Sequence, residues 1–327
     1  MVLAQSLFKT LHLQYENSQI DVLAPKWNCQ LLDMMPEVHQ SIDMPVGHGE
    51  LRLKSRMKIA HKLKKEAYDW AIILPNSFKS ALIPWLANIP KRSGWRGEFR
   101  YGLLNDIRTL DPDTFTMTVQ RYVALAFPSS FDFVEISKRS SLPKPQLRPS
   151  EQSIKEAMTC FGLDSKQAIL ALCPGAEYGR AKKWPSKYFQ EVARKHVHEG
   201  GQVWLFGSSA DRISCEEVAQ NFDAQYMKNL AGETTLSQVV ALLSQADQVV
   251  ANDSGLMHIA AALGRPVVAI YGSTSESFTP PLSEQSKTVS VDIDCRPCQK
   301  RECPYGHYRC MEELTPESVI DALAKLS

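Results

Sequence analysis

At 327 residues, 44% of them hydrophobic, the chain is long enough to bury a large core and divides more naturally into two domains than one. Its 37 lysines and arginines against 36 acids leave a formal charge of +1, which excludes binding to nucleic acid by bulk charge. No run approaches the roughly 18 apolar residues that cross a bilayer and no secretory signal opens the chain, so a cytoplasmic protein is expected.

The near-neutral total hides a division. Residues 1–150 carry 20 basic and 14 acidic side chains, whereas residues 151–327 carry 17 and 22. A basic half joined to an acidic half suggests two tasks, with an anionic partner meeting the first.

In chain order, "VLAQSLFKTLHLQY" has helical spacing and "QIDVLAP" reads as a short strand. "LRLKSRMKIAHKLKKEAY" predicts a basic helix with Leu53, Met57, Ala60, Leu63 and Ala67 on one face, covering a sheet or lying on a membrane surface. "DWAIILP" (69–75) is a continuous apolar run suited to a buried parallel strand. "SSLPKPQLRPS" (140–150) has three prolines and no periodicity, and is read as an extended linker over 141–150.

Beyond it the alternation resumes. "AILALCPG", "QVWLFGS", "QVVAND" and "PVVAIYG" read as strands, and "PSKYFQEVARKHVHEG", "TLSQVVALLSQA" and "GLMHIAAALG" as helices. Strands alternating with helices mean βαβ units and a parallel sheet. The expectation is an α/β chain of two Rossmann-like blocks, residues 1–140 and 151–327, facing a cleft. Such domains ordinarily begin with a strand, and this chain begins with a helix.

In open α/β sheets ligands bind beyond the carboxyl ends of the strands. "QVVAN" runs into Asp253, Ser254 and Gly255, where a helix starts. Its free N–H groups and positive dipole end make an anion site, Gly255 admits a phosphate, and Asp253 suits the hydroxyls of a sugar or a plain helix cap. His258 lies one turn in. Gly175 and Gly179 with Lys182 and Lys183 in "CPGAEYGRAKKWP", Ser208 in "LFGSSAD", and Gly232, Glu233 and Thr234 in "NLAGETTLSQ" point the same way. Together they sketch a pocket for a nucleotide diphosphate. Neither GxxxxGK[ST] nor GxGxxG occurs.

These motifs, with "NDSGLMHIAAALGRPVVAIYGST", "FTPPLS", "LPNSFKSAL" and "GWRGEFRYGLLND", resemble the lipopolysaccharide ADP-heptose heptosyltransferases of type II, in glycosyltransferase family 9, over nearly the whole chain. The resemblance implies a GT-B fold, two Rossmann-like, doubly wound parallel-sheet domains facing a cleft. It implies inverting transfer of L-glycero-D-manno-heptose from ADP-heptose to the first heptose of the Kdo–lipid A inner core, at the inner face of the inner membrane. Lys182 then matches a lysine on the donor phosphates and Asp253 an aspartate on the donor sugar, the two residues assigned to catalysis. Ser254, Gly255, Leu256, Met257 and His258 match the helix start beneath the diphosphate. No cofactor is required in this arrangement, and nucleic acid is not a partner.

The first domain would hold the acceptor through Asn76, Ser77, Lys79, Arg92, Arg96 and Arg100, within a basic set that includes Lys91 and Arg108. Arginines suit the carboxylates of Kdo and the phosphates of lipid A. Trp85, Trp95 and Phe99 nearby suit docking at the membrane. The family's base, an aspartate of a Gly-Asp pair ending a first strand, would lie upstream of Met1, and no other residue is nominated. A nucleotide-sugar-binding protein without turnover, or a heptosyltransferase of different acceptor specificity, are the alternatives.

The segment "DCRPCQKRECPYGHYRCM" (294–311) holds Cys295, Cys298, Cys303 and Cys310. Four thiolates at this spacing are compatible with a structural zinc, with a disulfide or redox pair, or with reduced structural thiols. The remaining cysteines, Cys29, Cys160, Cys173 and Cys215, read as small hydrophobes in a reduced protein.

Overall fold

Short apolar strands separated by amphipathic helices give parallel sheets here throughout. The computed structural model describes residues 1–47, 49–131, 136 and 142–326. The chain divides into two units, Leu3–Pro143 and Lys144–Ser327. Residues 132–135 and 137–141, the end of the first sequence-derived domain and the start of its linker, lie outside the described residues.

The first unit contains α1 (Gln5–Gln14), β1 (Asp21–Ala24), α2 (Lys26–Leu32), β2 (Gln40–Asp43), α3 (Leu53–Lys65), β3 (Trp70–Ile73), α4 (Leu82–Leu86), β4 (Lys91–Trp95), β5 (Asp106–Arg108) and α5 (Thr118–Val123). Its strands fall into two parallel sheets, β1-β2 and β3-β4-β5. The run "DWAIILP" does form a parallel strand, but β3 is the edge of its sheet and only Ile73 of it is fully buried.

The buried stripe of α3 differs from the one expected. Arg56, Ile59, Ala60 and Leu63 face inward, at i, i+3, i+4 and i+7, while Leu53 and Met57 are about half exposed. The helix rotates because Arg56 is drawn inside, where its guanidinium donates to the carbonyls of Leu51, Lys79 and Glu50 at 2.7, 2.9 and 3.2 Å. Ala67 lies beyond the helix end, at φ 51°.

Described linker residues are not free either. Leu147 is buried, and its N–H donates to the Ala262 carbonyl at 2.9 Å, which pins the segment to the second unit.

The second unit runs α6 (Glu151–Cys160), β6 (Ile169–Cys173), α7 (Ser186–His198), β7 (Gln202–Leu205), α8 (Arg212–Ala219), β8 (Met227–Asn229), α9 (Leu236–Leu243), β9 (Gln248–Asn252), α10 (Gly255–Ala262), β10 (Val267–Ile270), β11 (Ser286–Val289), α11 (Arg309–Glu312) and α12 (Pro316–Ala324). Six parallel strands lie in the order β11-β10-β9-β6-β7-β8. All five residues of β6 are buried, as are all four of β7 and of β10, which is why these segments read as unbroken apolar runs. Leu170, Leu172, Val203, Leu205, Val250, Val268 and Ile270 pack on Phe189, Val192 and Ala193 of α7 and on Val319 and Leu323 of α12.

The strand order decides where a ligand can sit. From β6 the chain winds outward to β7 and β8, then returns to the other side of β6 as β9 and winds on to β10 and β11. The direction therefore reverses between β6 and β9, and the loops beyond their carboxyl ends diverge to leave a crevice.

Candidate active site

Two loops flank that crevice, Pro174–Trp184 after β6 and Asp253–Ser254 after β9. Asn252, fully buried at the end of β9, ties them together. Its amide donates to the Pro174 carbonyl at 2.7 Å and its carbonyl oxygen accepts from the Trp184 N–H at 3.2 Å. The Trp184 indole is itself anchored on the Leu314 carbonyl at 2.8 Å.

Within this frame Lys182 Nζ lies 2.6 Å from Asp253 Oδ2, with side chains only 13% and 5% exposed. The same oxygen accepts from Thr274 Oγ1 at 2.7 Å, and Oδ1 accepts from Thr279 Oγ1 at 3.5 Å. The ammonium also sits 4.9 Å from the Tyr178 ring centroid. A carboxylate held by an ammonium and two hydroxyls is fixed in place by charge-assisted hydrogen bonds.

Beneath the pair starts α10. Ser254 is its N-cap in extended backbone, yet makes no side-chain cap bond, and its Oγ is buried with no partner among the described residues. His258 Nδ1 is buried and unpartnered in the same sense. Burial pushes the His258 imidazole down to about 4 against the attraction of Asp253, so the ring is neutral near pH 7. Two buried polar atoms without a partner among the described residues thus lie at the start of α10, near Lys182. Gly255 is exposed and nothing lies within 4 Å of the place where a Cβ would stand, so the approach to the backbone there is open.

A second cluster borders the first. A Cβ on Gly175 would stand 2.3 Å from the carboxyl carbon of Asp211, so glycine is required for the contact. Asp211 accepts from the Ser208 N–H at 3.0 Å and from the Ser208 hydroxyl at 2.7 Å, and faces Lys183 Nζ at 3.5 Å. Ser208 is thus engaged in a capping box. Glu233 is exposed and paired with Arg212 at 3.1 Å. Met257 is a correction to the sequence reading: it is fully buried and accepts from the Tyr271 hydroxyl at 3.4 Å, because it falls on the face of α10 that packs on the sheet. Leu256 is half-buried.

Thr274, Thr279, Asn252 and Asp211 belong to the site and were not nominated from sequence. For Asp211 a signal existed, the S-x-x-D spacing of a capping box in "SSAD".

In the first unit several expected acceptor arginines are structural. Arg100 is buried, and its guanidinium donates to the carbonyls of Pro75, at 2.7 Å, and Trp95, and to Asn76 Oδ1 at 3.4 Å. Arg92 donates to Leu103 and Ile89 carbonyls at 2.6 and 2.5 Å. Arg108 is buried against Asp106 at 2.7 Å and the Ala124 carbonyl, and Trp95 is buried too. Arg92 and Arg100 thus donate to main-chain carbonyls inside the unit, and Arg108 is held chiefly by the Asp106 carboxylate. Asn76 and Arg96 are exposed, Ser77 and Lys79 half-buried. Phe78, Trp85, Phe99 and Tyr101 are exposed aromatics of the same region.

The four cysteines of 294–311 are free thiols. Among the described residues no group of three or more His, Cys, Asp or Glu side chains is placed to hold a metal ion, and none of the eight cysteines is in a disulfide. Cys310 is buried in the core beside Met311 and Leu314, whereas Cys295, Cys298 and Cys303 remain partly exposed. No helix among the described residues is long and apolar enough to cross a membrane.

The glycosyltransferase family 9 (heptosyltransferase) pattern matches residues 56–309. The chain belongs to glycosyltransferase family 9. Lipopolysaccharide heptosyltransferase 2 of Salmonella typhimurium is 45% identical over all of this chain and 94% of its own length. Lipooligosaccharide heptosyltransferase 2 of Haemophilus ducreyi is 43% identical over all of this chain and 95% of its own. Among solved structures, ADP-heptose lps heptosyltransferase II of E. coli superposes with a TM-score of 0.89 at 41% identity, covering 100% of this chain and 94% of that one. The family 9 chain thus has the GT-B architecture that the resemblance implied, with the parallel sheets that its strand pattern predicts.

Proposed function

We propose that the chain transfers an L-glycero-D-manno-heptose residue from ADP-heptose to the first heptose of the Kdo–lipid A inner core, with inversion at the anomeric carbon. The observation that carries this is the Lys182–Asp253 pair at the switch point, set over the start of α10, where Ser254 Oγ and His258 Nδ1 have no partner among the described residues.

In this reading the diphosphate of the donor sits on the N–H groups of the first turn of α10, where the helix dipole stabilises negative charge. Lys182 gives that charge a counter-ion as the ADP oxygen departs, an interaction that strengthens in the transition state and so raises kcat. Asp253 holds Lys182 in place and accepts from donor hydroxyls. Its oxygens are already engaged by Lys182, Thr274 and Thr279, which makes it an anchor and not the base that deprotonates the acceptor.

The acceptor is assigned to the first unit, with Lys79 and Arg96 on its anionic groups and Asn76 and Ser77 on its hydroxyls. The exposed Phe78, Trp85, Phe99 and Tyr101 suit the interfacial layer of a membrane, which supports a peripheral position at the inner membrane.

Mass spectrometry of the lipid product tests the reading. Incubation with ADP-heptose should add one heptose to heptosyl-Kdo–lipid A and none to the acceptor lacking its first heptose. Donor binding without any mass gain would instead support a binding protein.

A further inference from the structure

Residues 296–301, inside the cysteine-rich segment, interlock with the loops that carry Lys182 and Thr274. The contacts are made by backbone groups, the Arg296 guanidinium and two hydroxyls, not by cysteine sulfur. Arg296 Nε donates to the Gly272 carbonyl at 3.0 Å, and its NH2 to the Thr274 carbonyl at 3.2 Å and to Glu276 at 2.8 Å; the side chain is 11% exposed. The Gln299 N–H donates to the Ser273 carbonyl at 2.8 Å, and Ser273 Oγ donates to the Lys300 carbonyl at 3.0 Å.

The same strip reaches the lysine loop. The Ala181 N–H donates to the Arg301 carbonyl at 3.0 Å, the Ser273 N–H to the Ala181 carbonyl at 3.2 Å, and Tyr178 Oη to the Gln299 carbonyl at 2.7 Å. Gly179 packs so closely that a Cβ there would stand 2.4 Å from the Arg301 oxygen, and its φ of 153° disfavours a side chain as well. Three backbone segments, 179–182, 272–274 and 296–301, are thus laced together. The middle one presents the Thr274 hydroxyl to Asp253 and the first presents Lys182 to the same carboxylate.

We infer that Arg296 is a positioning residue for donor binding. It fixes the Gly272–Thr274 turn, that turn sets Thr274 against Asp253, and Asp253 then orients Lys182 toward the donor phosphates. The inference rests on the donor-site reading of Lys182 and Asp253. It also gives the 294–311 segment a role that requires no metal.

The test measures ADP binding by titration calorimetry together with separate KM values for ADP-heptose and for acceptor. Loss of a fork of charge-assisted bonds should weaken ADP about tenfold in Arg296→Ala and raise donor KM to match, with acceptor KM within about twofold. Arg296→Lys, which retains the charge but not the fork, should fall between. Thr274→Val should reproduce the donor defect and Thr274→Ser should rescue it. Because both residues act on one link, Arg296→Ala with Thr274→Val should be little worse than the worse single variant.

Donor and acceptor constants that both stay at wild-type values in Arg296→Ala overturn the inference, as do fully additive defects in the double variant. Donor and acceptor KM that rise together with a fall in thermal midpoint overturn it too, since a merely structural arginine does this. A wild-type protein that neither binds ADP nor releases it overturns the donor-site reading itself, and this inference with it.

Discussion

Replacing Lys182 by methionine removes its ammonium and keeps an unbranched stem of similar length. Asp253 is then a carboxylate 5% exposed with two hydroxyl donors left, Thr274 at 2.7 Å and Thr279 at 3.5 Å. Breaking a buried ion pair from one side costs about 3–5 kcal/mol. The surviving hydroxyls and the 13% exposure of the Lys182 side chain reduce this to roughly 2–3 kcal/mol. Asp253→Asn should cost a similar amount, since it leaves the ammonium facing an amide. The double variant contains neither charge, so its destabilisation should fall short of the sum by about 2 kcal/mol.

Hydrogen exchange read by mass spectrometry on the β9 peptide (248–252) measures this locally, with the β7 peptide (202–205) as internal reference. Local opening energies are what exchange reports, which suits a protein of two units. Additivity of the two single costs within about 0.5 kcal/mol would refute the reasoning, because Lys182 would then not be held by Asp253 in the free protein.

Acid should loosen the second unit through His258. His258 binds its proton near pH 4 when folded, against an ordinary value of 6.5, so the unfolded chain protonates first as pH falls. Stability is therefore complete above pH 6.5 and declines between 6.5 and 4, by at most about 3 kcal/mol, and His258→Gln should flatten that slope in urea unfolding at pH 7 and pH 4.5. Gly175→Ala should push Asp211 off Ser208 and Lys183 at a cost of about 1–2 kcal/mol and weaken ADP binding, read by thermal melts and calorimetry. Arg96→Ala should raise acceptor KM with an unchanged melting midpoint, whereas Arg100→Ala should lower the midpoint through its lost carbonyl contacts.

The donor half was legible because two different constraints coincide in it. Strands buried on both faces must be apolar along their whole length, and a helix start that receives an anion must break that run with Asp253, Ser254 and Gly255. Thr274 and Thr279 carried no such signal. They reach Asp253 only because β10 lies beside β9, with the Asp253 N–H on the Ile270 carbonyl at 2.9 Å, and strand adjacency is not written in local sequence. The basic half misled for a different reason. A count of charges treats Arg92, Arg100 and Arg108 like Arg96, yet Arg92 and Arg100 spend their donors on main-chain carbonyls and Arg108 pairs with Asp106. The stripe of α3 was likewise placed by apolar spacing, which gives no sign that Arg56 would turn inward. Cysteine spacing alone left zinc, a redox pair and reduced thiols open; in the fold Cys310 follows the core packing of α11 and its three neighbours stay partly exposed.

The most direct measurement is acceptor-dependent ADP release from ADP-heptose, followed for the wild-type protein and for Lys182→Met at equal concentration. The account predicts release that requires heptosyl-Kdo–lipid A, and a rate at least about 100-fold lower in the variant, the loss expected for one charge aimed at a departing diphosphate. Release that ignores Lys182, or none from the wild type with this donor and acceptor, would contradict it.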